Sequence, residues 1–424
     1  MLIRLPGASA RNTAWLVVAV TFLALLVAAG LRSAPGVMMV PLETHFGWDR
    51  ATISASAAIG IFLYGLVGPF AAALMLSFGI KRTMLGGLAL MTASTFASLW
   101  MTEPWHYVLT WGVLSGVGSG AVASVLGAAV VNRWFATRQG LVMGMLTASA
   151  ATGALVFLPF LAWLSQAGAW KPVAIAVACA CAALIPLVLL LVPEHPGDVG
   201  TRRFGETGDS APPPPLKQAA TIGLAFGALF RAAKTPMFWL LFGTFYVCGL
   251  TTNGLVGTHM IAFCGDHGIA PVAAAGLLSM MGFFDLFGTT ASGWLTDRYD
   301  PRKLLFVYYG IRGLSLLALP FLDFGPASLL LFSLFYGLDW IATVPPTVKL
   351  ANVAFGEREA PIVFGWIMAG HQLGAATAAF GAGAIREWTG SYSPAFLIAG
   401  GFALVASVVV LGWRVKAVEP VLSI

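Results

Sequence analysis

Apolar runs recur twelve times along this 424-residue chain, at 13–40, 50–76, 83–101, 105–131, 140–166, 170–192, 236–262, 271–296, 303–322, 326–350, 360–385 and 392–414. A bilayer core about 30 Å thick takes roughly 20 apolar residues of helix, so each run is long enough to cross one. Membrane strands need only about 10 residues and alternate polar with apolar; these runs do not alternate. In lipid, the backbone N–H and C=O groups of a spanning segment must find partners within the structure, and helix is what remains. Only 9% of residues are charged and 58% are hydrophobic, whereas a water-facing surface needs roughly a quarter charged. The expected fold is an all-α membrane protein with twelve transmembrane helices and lipid as its main solvent.

Charge placement sets the orientation. Of 23 basic residues, Arg50, Lys171 and Arg386 fall in loops on one side, Arg32, Arg312 and Lys349 fall within helices, and the rest lie in segments on the other side. By the positive-inside rule that basic side is cytoplasmic, and with twelve crossings both termini lie there. The formal charge of +6 therefore reports membrane topology and does not point to nucleic acid. Arg4 and Arg11 ahead of an apolar run imitate a signal peptide, but the run from Trp15 to about Val40 exceeds an h-region of roughly 7–15 residues and reads as a retained first helix.

The longest polar stretch, 193–235, contains Arg202-Arg203 and Pro212 to Pro215. Proline and charge there oppose packing and insertion, so it is expected to be a cytoplasmic linker. It separates an N-terminal six-helix bundle, 1–192, from a C-terminal one, 236–424. Two similar halves around a central site are the plan of many alternating-access carriers. Local echoes support the division. Phe78-Gly79-Ile80-Lys81-Arg82 follows the second helix, and Gly293 to Lys303, with Asp297-Arg298 and Arg302, follows the eighth.

The stretch from Gly293 to Lys303 resembles the loop signature of the major facilitator superfamily, and the resemblance extends over nearly the whole chain. It implies the major facilitator fold, with Gly293, Asp297, Arg298 and Arg302 forming a cytoplasmic latch. The first copy departs, with Leu76 and Ser77 where aspartate-arginine is expected. Within the superfamily the chain resembles the monocarboxylate porter group, including its bacterial oxalate/formate-type members. Phe46-Gly47-Trp48-Asp49-Arg50-Ala51-Thr52-Ile53-Ser54 is similar to that group's approach to helix two. Trp134-Phe135, then Arg138-Gln139-Gly140 and Gly144, is similar to its approach to helix five. Asp285 matches an acid of the eukaryotic carriers, whose arginine one turn later is here Thr289. Arg32 lies next to the position of a functional lysine. Helix five lacks a glycine-proline-glycine cluster, and Gly112 stands where many superfamily members carry arginine, so the marks of a drug exporter are missing.

An ionisable group at membrane depth costs at least about 2.5–3.5 kcal/mol, so each one needs a reason. Arg32, in the outer half of helix one, either forks onto a substrate carboxylate or snorkels to the headgroups. Arg312 lies roughly 13 Å deep, and Asp285 and Asp339 roughly 16–18 Å, at 1.5 Å per residue. They form either a buried ion pair holding helices together or a proton-linked switch. Pro345-Pro346 imply a kink in helix ten whose freed carbonyls can bind solute. His371-Gln372, flanked by Gly370 and Gly374, is either packed or a substrate donor. Thr251-Thr252-Asn253-Gly254 suggests a broken helix seven. Gly112, Gly116 and Gly120 form a stripe that brings helix backbones together. Cys179, Cys181, Cys248 and Cys264 lie in apolar runs with no metal-ligand spacing and read as inert thiols.

No phosphate loop, His-Glu-x-x-His or Gly-x-Ser-x-Gly occurs. No catalytic residue, metal or cofactor is expected, and the chain is not read as an enzyme or an ATP-driven pump. The expected function is secondary active transport of a small organic anion, a monocarboxylate, by proton coupling or exchange. Arg32, Asn253, His371 and Gln372 are the candidate substrate contacts; Asp285, Arg312 and Asp339 the candidate proton or ion-pair groups. The rival solutes are a drug, a siderophore or an aromatic acid. The expected setting is a bacterial-type inner membrane, with the protein a monomer.

Overall fold

A computed structural model describes residues 10–48, 50–165, 169–206, 222–269 and 271–412. Arg4, Asp49, Pro212 to Pro215, Lys217, Arg414 and Lys416 lie outside the described residues.

The described chain is helical, and apolar side chains cover the helix exteriors: Val405 and Val408 are exposed while their neighbours Ala403 and Ala406 are buried. Small residues inward and large apolar ones outward is the distribution a lipid solvent selects. We number the membrane helices α1 (Ala10–Phe46), α2 (Arg50–Ser77), α3 (Ile80–Trp100), α4 (Pro104–Trp134), α5 (Gln139–Leu164), α6 (Lys171–Leu191), α7 (Pro236–Asp266), α8 (Pro271–Thr296) and α9 (Pro301–Phe321). The next apolar stretch, Pro326–Thr389, has 64 residues, about 96 Å of helix, roughly three bilayer thicknesses. Gly356 breaks it, with φ 75° and ψ 148°. It therefore supplies α10 (326–355) and α11 (357–389), and α12 is Ser393–Gly412. The described residues thus hold twelve helices long and apolar enough to cross a membrane, in line with the hydropathy pattern.

Two compact units divide the chain: Met1–Val142 with Ser149–Gly227, and Met143–Ala148 with Ala228–Ile424. In the first, α2 packs on α4 and α3 on α6. The glycine stripe makes the α2–α4 contact: a Cβ at Gly116 would stand 2.9 Å from the Gly60 Cα, and one at Gly120 3.0 Å from the Tyr64 carbonyl oxygen. In the second unit α7 packs on α11, α8 on α10 and α9 on α12.

The first part of the stretch after α6, residues 193–206, is held in place by specific contacts. Pro196–Val199 form a 3-10 turn. Phe204 exchanges backbone hydrogen bonds with the end of α4, at 2.7 Å to the Trp134 carbonyl and 2.9 Å from the Ala136 N–H. Its ring packs against Trp15 and Phe135. A short amphipathic helix, Ile222–Ala233, leads into α7. Over 193–206 the charged residues do not prevent packing, because aromatic side chains and backbone pairing anchor that part.

The first-copy loop, lacking an acid at Leu76-Ser77, borrows one from this same stretch. The Glu194 carboxylate accepts from the first two N–H groups of α3, Ile80 at 2.6 Å and Lys81 at 2.9 Å, and pairs with Arg133 at the end of α4. A carboxylate at a helix N-terminus satisfies orphan donors and the helix dipole together. Gly79, at φ 102°, is required there: a Cβ would collide with the Glu194 carboxylate. In the second copy the capping acid is Asp300. It accepts from the Arg302 N–H at 2.9 Å and pairs with the Arg302 guanidinium at 2.6 Å. That hydrogen-bonded guanidinium holds Asp300 below the usual carboxylate range. Arg298 folds over the Trp294 ring at 3.9 Å and donates to the Trp294 carbonyl. Gly293 is buried and Asp297 half-buried beside them.

Candidate functional site

The second unit holds a polar network at mid-helix, built around a gap in α10. The first half of α10, Pro326–Asp339, ends at Asp339, and the second begins at Val344 with Pro345 in its first turn. The break precedes the two prolines, because proline is tolerated in the first turn of a helix. Residues 340–343 thus carry backbone groups without helical partners, and in an apolar setting each unmet group costs several kcal/mol.

Side chains from three neighbouring helices meet these needs. Arg312 of α9, fully buried, donates through Nε to Asp339 Oδ2 at 2.7 Å and through Nη2 to the carbonyls of Asp339 at 2.6 Å and Trp340 at 3.2 Å. Asp285 of α8, also buried, accepts from the Ile341 N–H at 2.9 Å and from the Thr289 hydroxyl at 2.6 Å. Ser292 of α8 donates to the Ala342 carbonyl at 2.6 Å. Thr343 Oγ1 lies 3.4 Å from the Cys248 Sγ of α7. Each residue from Asp339 to Thr343 is held from outside α10. The expectation that freed carbonyls in helix ten await a solute is therefore corrected for Asp339, Trp340 and Ala342: Arg312 and Ser292 occupy them.

Cys248 joins the parts. Its sulfur accepts from Arg312 Nη1 at 3.0 Å, and His371 of α11 also lies against the thiol. The reading of Cys248 as inert is overturned; a cysteine beside a guanidinium is a polar participant. No sequence motif marks it. The available signal was its position one turn before Thr251-Thr252, on the helix expected to be irregular. That helix, α7, is not broken. It stays continuous through a π-helical stretch, Leu250–Val256, a widened turn of the kind that recurs at functional sites. Tyr309 and Tyr336 line the network and donate to α7 carbonyls, Thr244 and Thr251, each at 2.7 Å.

Four sequence candidates, Asp285, Arg312, Asp339 and His371, are thus brought together. Arg32 belongs to the first unit. Its guanidinium sits 4.2 Å over the Tyr64 ring of α2 and donates to the Ala28 carbonyl at 3.2 Å. Among the described residues no acid pairs with it. Asn253 is exposed on the π-helical stretch and Gln372 is half-buried. The glycines around His371 are packing positions: Gly370 faces the Phe242 ring, and a Cβ at Gly374 would collide with the Tyr246 carbonyl.

Three buried polar atoms in the network have no hydrogen-bond partner among the described residues: Asp285 Oδ2, Asp339 Oδ1 and His371 Nδ1. Native interiors satisfy nearly all such atoms, so three together mark a place with spare capacity for a proton, water or solute.

The sequence profile of the Major Facilitator Superfamily matches residues 21–368. Monocarboxylate transporter 13 of Rattus norvegicus is 26% identical over 406 residues, covering 94% of this chain and 88% of the relative. An uncharacterized MFS-type transporter, YcxA of Bacillus subtilis, is 23% identical, covering 89% and 90%. Among solved structures, the proton:xylose symporter XylE superposes with TM-score 0.70 at 13% identity, covering 94% of this chain and 95% of that one. The human organic anion transporter MFSD10 gives TM-score 0.71 at 15% identity, covering 94% and 98%. These two share the fold. With the profile spanning most of its length and twelve membrane helices among its described residues, the chain belongs to the Major Facilitator Superfamily of membrane transporters, which are not enzymes.

Proposed function

We propose that this transporter carries a small organic anion, a monocarboxylate, across the membrane by alternating access, and that a proton travels with it. The observation that carries the reading is a charge imbalance. The buried network holds one guanidinium, Arg312, against two carboxyl groups, Asp285 and Asp339. With both carboxylates ionised the site is one negative charge in excess in a low-dielectric interior, where unpaired charge costs several kcal/mol. One bound proton cancels the excess. Asp285 is the acceptor we favour, because Asp339 already has the arginine while Asp285 has only neutral donors. Protonating it costs little structurally, since Oδ1 keeps its Thr289 and Ile341 bonds while Oδ2 takes the proton.

Arg32 supplies the anion contact. Among the described residues its guanidinium has one carbonyl acceptor and no acid, so its remaining donors can fork onto a carboxylate. His371, Gln372 and Asn253 are further candidate contacts. Proton and anion together move as a neutral load, the cheapest cargo to take past lipid-lined helices. The relatives named as monocarboxylate transporters support this substrate class. The same reading places the basic-rich face and both termini in the cytoplasm of a bacterial-type cell, with the chain acting as a monomer and Gly293, Asp297, Arg298 and Arg302 at its cytoplasmic latch.

Uptake of radiolabelled lactate or pyruvate into proteoliposomes tests the proposal. An inward proton gradient accelerates uptake if it holds. Absence of uptake for every monocarboxylate tried removes the substrate class, and uptake indifferent to the gradient removes the coupling.

A further inference from the structure

A cleft of about 440 Å³ opens on the outside of the second unit, where the connecting helix Ile222–Ala233 turns into α7. Ala233, Lys234, Thr235, Trp239, Leu240 and Val409 of α12 line it. It is separate from the Arg312 network: Lys234 precedes Cys248 by fourteen residues of sequence, about 20 Å along α7.

The cleft has two chemically distinct ends. At one, Lys234 is exposed, and among the described residues it pairs with no acid, whereas its neighbour Arg231 is neutralised by Glu359 at 2.7 Å. The positive end of α7 begins beside it, with Thr235 as its cap. At the other end Trp239, Leu240 and Val409 form an apolar floor, and Val405 and Val408 on α12 are exposed beyond it. The Trp239 ring is fixed in place, because its Nε1–H donates to the Ala233 carbonyl at 2.8 Å. Indole at the polar–apolar boundary is the usual marker of headgroup depth. Ile222–Ala233 itself buries Ala225, Ala228 and Ala232 and exposes Phe226 and Phe230, the profile of a helix lying in the membrane interface.

From this juxtaposition of an unpaired cation and helix N-terminus with an apolar groove, we propose that the cleft binds one anionic phospholipid, its phosphate at Lys234 and an acyl chain along Trp239, Leu240 and Val409. Charge complementarity selects an anionic over a zwitterionic headgroup, because a second cation in the headgroup would face Lys234 and the positive helix end.

Native mass spectrometry of the full-length protein, titrated with phosphatidylglycerol and with phosphatidylcholine of matched chains, tests this. Wild type retains one phosphatidylglycerol in preference to phosphatidylcholine. Lys234→Gln lowers that retention about fivefold, the weight of one basic residue at an anionic surface. Lys234→Arg binds as wild type, and Val409→Trp, which fills the groove and leaves the charge, also releases the lipid. Equal retention of both lipids by wild type, or undiminished phosphatidylglycerol binding in Lys234→Gln or Val409→Trp, overturns the proposal. So does displacement of the lipid by inorganic phosphate with no effect of Val409→Trp, which would mark a bare anion site. Unchanged melting temperatures for the variants in lipid-free detergent show that retention reports the cleft.

Discussion

In the first unit, the Glu194–Arg133 pair that ties distant segments together gathers at the ends of α3 and α4, and Arg32 rests on an aromatic ring with no acid partner among the described residues. In the second unit, the Arg312–Asp339 pair and Asp285 lie at mid-helix, each bonded to the α10 backbone and each carboxyl keeping one oxygen without a partner among the described residues. The two arrangements solve the same problem, orphaned backbone groups, at different depths. A helix end at the membrane surface can borrow one carboxylate, partly wet and adjustable. A helix break at mid-depth has no water to fall back on, so five residues of α10 draw on α7, α8 and α9 together. Irregular backbone and titratable side chains are thus the same structural event in the second unit, whereas Arg32 of the first unit has no acid partner among the described residues.

Substitutions can break this contrast. Arg312→Ala is expected to have the largest effect. It strands Asp339 and two α10 carbonyls in an apolar interior, at about 3–5 kcal/mol, and folded protein should be lost from detergent extracts measured by size-exclusion chromatography. The double variant Arg312→Met with Asp339→Leu removes both charges and should recover part of the folded yield without recovering uptake. Folded, transport-competent Arg312→Ala would show that the α10 break does not need its clamp.

Arg32→Ala sharpens the other side. Losing a charge-assisted contact worth roughly 1.5–3 kcal/mol lowers uptake about 10- to 100-fold, with a normal elution profile, since Arg32 closes no ion pair among the described residues. Near-normal uptake would remove Arg32 from the anion path. Glu194→Ala uncaps α3 and strands Arg133, for about 2 kcal/mol of unfolding free energy, read as a lower melting temperature. Asp300→Ala, which removes a local cap and a partly exposed pair with Arg302 two residues away, should cost about 1 kcal/mol. A larger loss for Asp300 than for Glu194 would reverse the ranking of the two loops.

Hydropathy made the spans legible because lipid imposes one requirement on every crossing, and it exposed Asp285, Arg312, Asp339 and His371 as costly exceptions within apolar runs. What it could not provide was which exceptions meet. Arg312 finds Asp339 across 27 residues of sequence, and that pairing depends on how α9 packs, which local spacing does not encode. Cys248 and Ser292 went unremarked as polar partners because a thiol or a serine in an apolar run is ordinary; only the neighbouring Arg312 and the open α10 backbone give them work. Glu194 was obscured for a similar reason. It sits in a stretch whose composition reads as a linker, yet its carboxylate serves a helix that begins 114 residues earlier. The break in α10 was expected at Pro345-Pro346 and falls just before them, since proline starts the second half-helix more readily than it bends a continuous one.

Asp285→Asn offers the most direct measurement of the proposed coupling. Asparagine keeps an acceptor for the Ile341 N–H but cannot take up and release a proton. Proton movement during downhill lactate entry, followed with a pH-sensitive dye inside proteoliposomes, should accompany the substrate in wild type and vanish in Asp285→Asn, while lactate–lactate exchange persists. Undiminished proton movement with lactate in the Asp285→Asn protein would contradict the account.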